Sequence, residues 1–106
     1  MSDSKAPDGR GQLKEKIKRK VDEPKRYRVV LHNDDYTTME FVVEVLKKIF
    51  RKGPAEAHSI MLSVHKKGKG IVGLFTYDIG ATKVEQVRSM ARRNGFPLKC
   101  TLEEAS

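Results

Sequence analysis

A short polar cluster, Asn33-Asp34-Asp35, stands where an alternating apolar segment gives way to a helical one. Asn and Asp favour turns because their side chains hydrogen-bond the local backbone, so a simple turn is the plainer interpretation. Two adjacent carboxylates also repel each other unless a cation lies near them. A cationic ligand at this junction is therefore the alternative hypothesis to a simple turn.

A second polar side chain, His65, lies near the end of a later helical segment. A histidine there is commonly a solvent-facing group that complements the negative end of the helix dipole. If that helix packs beside the preceding one, apolar side chains of both helices enclose a hole, with His65 and the Asn-Asp-Asp turn at its rim. These side chains are Met39, Val42, Met61 and Val64.

A hole of this kind suits a ligand with one large apolar side chain and one primary ammonium group. An ammonium has three N–H donors and needs acceptors close by, which the Asn33 carbonyl, an Asp carboxylate and an unprotonated His65 nitrogen can supply. Metal binding and acid–base catalysis are disfavoured, because no second His or Cys stands at ligand spacing and no nucleophile adjoins a base. Neither enzyme activity nor a cofactor is expected.

The segments around the cluster follow the periodicity of one strand and two helices. Alternation over 26–32 predicts a strand, and Thr37 with Glu40 forms a capping box that predicts the start of a helix. Gly53 is expected to end this helix in the left-handed conformation, and Pro54 to open the next one. The apolar positions that recur along the first helix are Met39, Val42, Val43, Leu46, Ile49 and Phe50.

The second half of the chain also switches between the periodicity of strands and that of helices. The second helix is expected to close at Gly68, and residues 70–77 alternate as a second strand. Residues 78–80 predict a turn, the capping box at 82–85 predicts the start of a third helix, and Pro97 is expected to open a last strand.

These elements predict an α+β fold in the order β-α-α-β-α-β, a two-layer sandwich with a three-stranded antiparallel sheet and three helices. The 106 residues suffice for one small domain. Residues 1–25 are expected to form a flexible basic N-terminal extension, because they hold too few apolar residues to offset the entropy of ordering. Residues 26–106 are expected to form the folded domain.

The formal net charge of +8 raises nucleic-acid binding as an alternative function. Residues 1–26 carry 9 basic and 5 acidic groups, and Leu13, Ile17 and Val21 would form an apolar stripe if this segment were helical. No aromatic-rich sheet face, Gly-Lys loop or zinc finger accompanies the charge. Nucleic-acid binding therefore stays the second hypothesis.

Cysteine usage and hydropathy bear on the cellular compartment. Cys100 is the only cysteine, which excludes an internal disulfide and fits a reducing compartment. Its alternation with Leu98 and Leu102 favours a place in the core. No apolar run approaches the roughly 18 residues needed to span a bilayer, and no signal sequence is evident. A cytoplasmic protein without a membrane association is expected.

Four separated motifs resemble the ClpS family of bacterial adaptor proteins over about residues 26–104. They are VLHNDDYTTMEFV (30–42), IMLSVH (60–65), TKV (82–84) and PLKCTLE (97–103). The resemblance implies an N-degron adaptor that binds substrates with N-terminal Leu, Phe, Tyr or Trp. It would deliver them to the N-terminal domain of the ClpA unfoldase of the ClpAP protease, or of a ClpC-type relative. The resemblance implies a monomer that is neither a protease nor an ATPase.

The resemblance also implies roles for individual residues. The ligands of the substrate α-amino group would be Asn33, Asp35 and His65, with Asp34 beside them. The lining of the hydrophobic pocket would be Thr37, Met39, Val42, Met61, Val64 and Leu98. Met39 would exclude β-branched side chains, and Asp78 and Lys83 would contact the unfoldase. The chain departs from the family at Ala81, where an acidic residue is expected, and at Thr38, which replaces a proline.

Overall fold

Three strands and three helices make up the fold of residues 24–105, the part of the chain that the computed structural model describes. They are β1 (Tyr27–His32), α1 (Met39–Lys48), α2 (Pro54–Lys67), β2 (Lys69–Phe75), α3 (Tyr77–Arg93) and β3 (Lys99–Glu104). The strands form one antiparallel sheet in the order β2-β1-β3, which confirms the predicted fold class and element order. Most of the predicted extension 1–25, including its apolar stripe, lies outside the described residues.

One face of the sheet carries the hydrophobic core. Side chains alternate across a strand, so Val29 and Leu31 of β1 share a face, and both are fully buried. Val45 of α1 and Val87 of α3 belong to the same buried cluster. Cys100 of β3 also lies in the core as predicted, and burial raises the pKa of its thiol to about 12. None of the helices within 24–105 has both the length and the apolar character needed to cross a membrane.

The opposite face of β1 carries Arg28, Val30 and His32, because these positions alternate with the core residues. The His32 ring nitrogen Nε2 and the Thr101 hydroxyl of β3 lie 2.8 Å apart. Partial burial, reinforced by the nearby positive charge of Lys99, lowers the pKa of His32 below its ordinary value. The neutral ring is therefore favoured on this face.

α1 begins at Met39, and its N-cap differs from the prediction. The Thr38 side chain accepts a hydrogen bond from the Phe41 N–H at 3.1 Å, so Thr38 is the N-cap. The hydroxyl of Thr37 instead donates to the Asp34 carboxylate at 2.7 Å. The predicted capping box of Thr37 with Glu40 is therefore wrong, because Asp34 competes for the Thr37 hydroxyl.

The buried side of α1 also differs in part from the predicted stripe. Phe41 and Val45 are buried although the sequence analysis left them out, and Met39 is 46% exposed although it was included. Met39 is the first residue of the helix, where no preceding turn covers it. Its side chain is therefore free to border a cavity at this end of α1.

In the segment between α1 and α2, the residue with a left-handed backbone conformation is not the one that was predicted. Arg51 has a φ of 57°, whereas Gly53 has a φ of −70° and serves as the N-cap of α2. Pro54 opens α2, and Gly68 closes it with a φ of 91°, both as predicted. The prediction for Gly53 is wrong because the chain reverses two residues earlier.

α3 begins at Tyr77, with Thr76 as its N-cap, well before the predicted start at Thr82. Residues 78–80 lie inside the helix, so the predicted turn and the capping box at 82–85 are wrong. Gly80 packs closely against β3: a Cβ there would lie 2.5 Å from Leu102 Cδ1, so a larger residue would require the Leu102 side chain to move. The strand boundaries shift as well: β2 ends at Phe75, and β3 begins at Lys99.

Candidate functional site

A cavity of about 370 Å³ lies between α1, α2 and the turn that follows β1. Its lining consists of Asn33, Asp34, Asp35, Tyr36, Thr37, Thr38, Met39, Val42, Met61, Val64 and His65. Val42, Met61 and Val64 are buried and form an apolar floor, whereas Tyr36 is 77% exposed. The structure thus brings together all four residues predicted for the α-amino group and five of the six predicted for the pocket.

Leu98 is the predicted pocket residue that does not line this cavity. It is buried in the core cluster, and it precedes β3 by one residue. Leu98 and Cys100 are two residues apart and both belong to the core, as the alternation of a strand requires. Its contact with a ligand stays a prediction.

A backbone hydrogen bond ties the two sides of the cavity together. The Asn33 N–H donates to the Gly68 carbonyl oxygen at 2.8 Å. Asn33 directly follows β1, and Gly68 ends α2 three residues after His65. Because His32 pairs with Lys69 in the sheet, the end of β1 and the end of α2 are held side by side. This arrangement places Asn33 and His65 on one cavity although they are distant in sequence.

Asp34 organises the turn between β1 and α1. Its carboxylate accepts hydrogen bonds from the Tyr36 N–H at 2.8 Å, and from the Thr37 N–H and hydroxyl at 2.7 Å each. Burial by itself raises the pKa of the Asp34 carboxyl, but these hydrogen bonds outweigh it and lower the pKa below its ordinary value. The plainer interpretation of the cluster, a turn, is confirmed for Asp34.

The other three polar residues at the rim, Asn33, Asp35 and His65, are exposed. Within residues 24–105 none of their side chains makes a hydrogen bond or an ion pair with another residue. An amide oxygen, a carboxylate and a ring nitrogen are therefore open acceptors above the apolar floor. Three acceptors match the three N–H donors of a primary ammonium group.

Two lining residues, Tyr36 and Thr38, were missed by the sequence analysis. Tyr36 stands exposed at the mouth, and Thr38 lines the cavity while it caps α1. Their position between predicted site residues was the available signal, since the whole segment 33–39 lines the cavity. Within the described residues, no group of three or more His, Cys, Asp and Glu side chains is placed to hold a metal ion.

Comparison with known proteins decides the family. A family model described as ATP-dependent Clp protease adaptor protein ClpS matches residues 22–101. The chain belongs to the ClpS family. This membership confirms the resemblance carried by the four motifs, and the family's members are adaptors of the Clp protease rather than the protease itself.

Two ClpS relatives and one solved structure show the extent of the similarity. The chain is 58% identical over 85 residues to the ClpS adapter of Syntrophus aciditrophicus, covering 80% of this chain and 79% of that relative. It is 54% identical over 98 residues to the ClpS adapter of Nitratidesulfovibrio vulgaris, covering 92% and 98%. The structure of Agrobacterium tumefaciens ClpS2 bound to L-phenylalaninamide has a TM-score of 0.76 and 38% identity, covering 78% of this chain and all of that one.

The two residues predicted to contact the unfoldase both lie on α3. Asp78 is exposed in the first turn of the helix. Lys83 is half-buried, and its Nζ donates to the Ile49 carbonyl oxygen at 2.8 Å, at the end of α1. Five residues apart on a helix, the two side chains diverge by about 140°. Lys83 therefore joins α3 to α1 in addition to any role in binding a partner.

Replacing Lys83 by methionine is expected to lower the free energy of unfolding by about 1 kcal/mol, because the Ile49 carbonyl loses its donor. Methionine preserves most of the apolar stem, so the loss reports on the hydrogen bond. Chemical denaturation measures it. Lys47→Met, which changes an exposed lysine of α1, is the matched control and is expected to stay within about 0.5 kcal/mol of the original chain. An unchanged unfolding free energy for the Lys83 variant would show that this hydrogen bond contributes nothing.

Proposed function

We propose that this chain is an N-degron adaptor of the Clp protease. It binds substrate proteins through a free α-amino group and a large hydrophobic N-terminal side chain, Leu, Phe, Tyr or Trp, and delivers them to the ClpA-type unfoldase. It acts by binding alone and performs no chemistry on the substrate. The observation that carries the proposal is the cavity in which open acceptors at the rim surround a buried apolar floor.

The α-ammonium group of the substrate is held by Asn33, Asp35 and His65. An ammonium that leaves water needs an acceptor for each N–H, and it is best matched by a carboxylate that also neutralises its charge. Asp35 supplies that carboxylate. Asn33 supplies its amide oxygen and His65 a ring nitrogen as the other two acceptors. Asp34 acts as a positioning residue, because its two oxygens already accept the hydrogen bonds of the turn.

The N-terminal side chain enters the apolar part of the cavity. Val42, Met61 and Val64 form the floor, and Thr37 and Met39 border it. Burying a leucine or phenylalanine side chain contributes about 1.5–3 kcal/mol. Flexible methionines in the lining allow one cavity to accept both branched aliphatic and aromatic groups.

The related ClpS2 structure supports this assignment by its ligand. L-phenylalaninamide, bound to Agrobacterium tumefaciens ClpS2, carries a free α-amino group next to a benzyl side chain. The same two chemical features match the rim and the floor of the cavity described here. The ligand of the relative thus supports the substrate class that we propose for this chain.

Delivery is proposed to involve the N-terminal domain of a ClpA-type unfoldase. Asp78 is exposed on α3 and available to a partner, whereas Lys83 is partly engaged with α1. The folded domain, residues 26–106, acts as a monomer that carries the substrate. Residues 1–25 serve as the extension that the unfoldase engages. Delivery takes place in the cytoplasm.

Fluorescence anisotropy with labelled peptides that differ only in their first residue tests the proposed specificity. Peptides that begin with Leu, Phe, Tyr or Trp are expected to bind about 10- to 100-fold more tightly than one that begins with Ala, because alanine leaves the floor unfilled. Equal affinities across the panel would contradict the proposal. Affinity for DNA or RNA that falls steeply with salt would instead support the nucleic-acid alternative.

A further inference from the structure

A second cavity, of about 350 Å³, lies beside α2 and β2. It includes Arg28 and Val30, which point to the face of the sheet opposite the core. Its polar lining residues are Arg28, Ser59, Ser63, Lys67, Lys69 and Glu103. No residue lines both this cavity and the one proposed for the N-degron.

α2 separates the two cavities and presents a different row of side chains to each. Ser59, Ser63 and Lys67 recur every four residues, so they lie in one row along the helix. Met61 and His65 lie on the row that lines the N-degron cavity. The second cavity is therefore a separate site and not an extension of the first.

The charges of the second cavity are unbalanced. Three cations, Arg28, Lys67 and Lys69, face one carboxylate, Glu103. Arg28 and Glu103 are cross-strand partners in the sheet register, yet no ion pair joins them. Within residues 24–105, none of these four groups forms a salt bridge with any other residue. Uncompensated positive charge lining a cleft raises the local concentration of anions.

Arg28 gives a second and independent indication of a ligand. Its Nε is shut off from solvent and has no hydrogen-bond acceptor within the described structure. Buried polar groups in proteins are nearly always paired, so an unpaired guanidinium nitrogen is unusual. The fork of N–H groups on an arginine matches the oxygens of a phosphate or carboxylate. An anion beside Arg28 would offset positive charge that has no partner among residues 24–105.

We propose that this cavity binds a small phosphate monoester whose organic part carries hydroxyl or amino groups. A phosphate monoester has a charge between about −1.5 and −2 at neutral pH, close to the net +2 of the lining. The serine hydroxyls donate to its oxygens, and Glu103 accepts from the hydroxyl or amino groups of the organic part. Val30, Ile60 and Ile71 pack against that part, and the volume falls in the range of small-molecule sites.

NMR titration of the ¹⁵N-labelled full chain tests the proposal, with adenosine 5′-monophosphate, inorganic phosphate and adenosine as separate probes. The nucleotide is expected to shift backbone resonances of 59–71, β1 and β3, and to bind about 10-fold more tightly than inorganic phosphate because the organic part is also buried. Adenosine alone is expected to bind more weakly than the nucleotide. Equal affinity of the nucleotide and inorganic phosphate would overturn the ester part of the proposal. An absence of shifts at about 10 mM would overturn the site itself. So would shifts centred on Lys83 and Arg93, which line a different basic cavity between the end of α1 and α3.

Matched charge reversals separate a built site from general attraction to a basic protein. Lys67→Glu and Lys66→Glu change adjacent exposed lysines of α2 and alter the net charge equally, but only Lys67 lines the cavity. Lys67→Glu is expected to weaken nucleotide binding by about 10-fold or more, and Lys66→Glu by less than about 2-fold. Arg28→Gln is expected to weaken nucleotide binding as much as Lys67→Glu does. The NMR spectrum of the Arg28 variant shows whether it is folded. Equal losses in both lysine variants would overturn the proposal, because binding would then depend on net charge alone.

Discussion

Changing Asp35 to asparagine is expected to weaken the binding of a peptide with N-terminal phenylalanine by about 10- to 100-fold. The substitution keeps the size of the side chain and removes the negative charge that we propose binds the α-ammonium group. Hydrogen bonds between charged partners are roughly twice as strong as those between neutral ones. Because Asp35 is exposed, solvent screening reduces the loss below that of a fully buried pair. Fluorescence anisotropy measures the change directly.

Glu85→Gln is the matched control for the Asp35 variant. Glu85 is exposed on α3, is absent from the cavity lining and carries the same charge. Its replacement is expected to change peptide affinity by less than about 2-fold, since solvent and salt screen distant charges. If Asp35→Asn bound the peptide as tightly as Glu85→Gln did, Asp35 would not be a ligand of the α-amino group.

Replacing Met39 by alanine is expected to admit peptides that begin with isoleucine or valine, and to raise their affinity by about 10-fold or more. Met39 is the first residue of α1 and lines the cavity. We propose that its side chain occupies the space that a second branch at the substrate β-carbon would need. Removing that side chain opens the space, and a competition assay with unlabelled peptides measures the gain.

The peptide that begins with leucine serves as the internal control for Met39→Ala. Leucine branches one carbon later, so its affinity is expected to change much less than that of isoleucine. The variant is expected to fold, because Met39 is 46% exposed and its loss leaves the buried core unchanged. Continued rejection of isoleucine and valine would show that another part of the lining excludes β-branched residues.

Most of the residues that line the candidate site were predictable, because each half of the site has a local signature. Asn and Asp after an alternating segment indicate a turn with free acceptors, and the spacing of Met61 and Val64 indicates one face of a helix. The meeting of the two halves has no such signature. It depends on the strand register and on the hydrogen bond from Asn33 to Gly68, which are tertiary features. From periodicity alone the two halves meet only on the condition that α1 and α2 pack side by side, and the family resemblance supported that condition.

The errors at the helix starts have physical causes that local patterns do not encode. Thr37 and Thr38 are equally good caps by residue type, and the choice between them was made by the carboxylate of Asp34. Gly80 is typical of a turn, but the structure uses it inside α3 for close contact with Leu102. Competition for the Thr37 hydroxyl therefore sets the start of α1, and the contact between Gly80 and Leu102 accompanies the early start of α3. The order of the elements was predicted correctly because it depends on periodicity over many residues.

Recognition of a free α-amino group is tested most directly by two phenylalanine peptides that differ only in N-terminal acetylation. Acetylation removes the positive charge and two N–H donors and leaves the aromatic side chain intact. The free peptide is expected to bind, and the acetylated copy to bind about 100-fold more weakly or not at all. Equal affinity for both peptides would contradict recognition through Asn33, Asp35 and His65, and would leave only the apolar floor to hold the ligand.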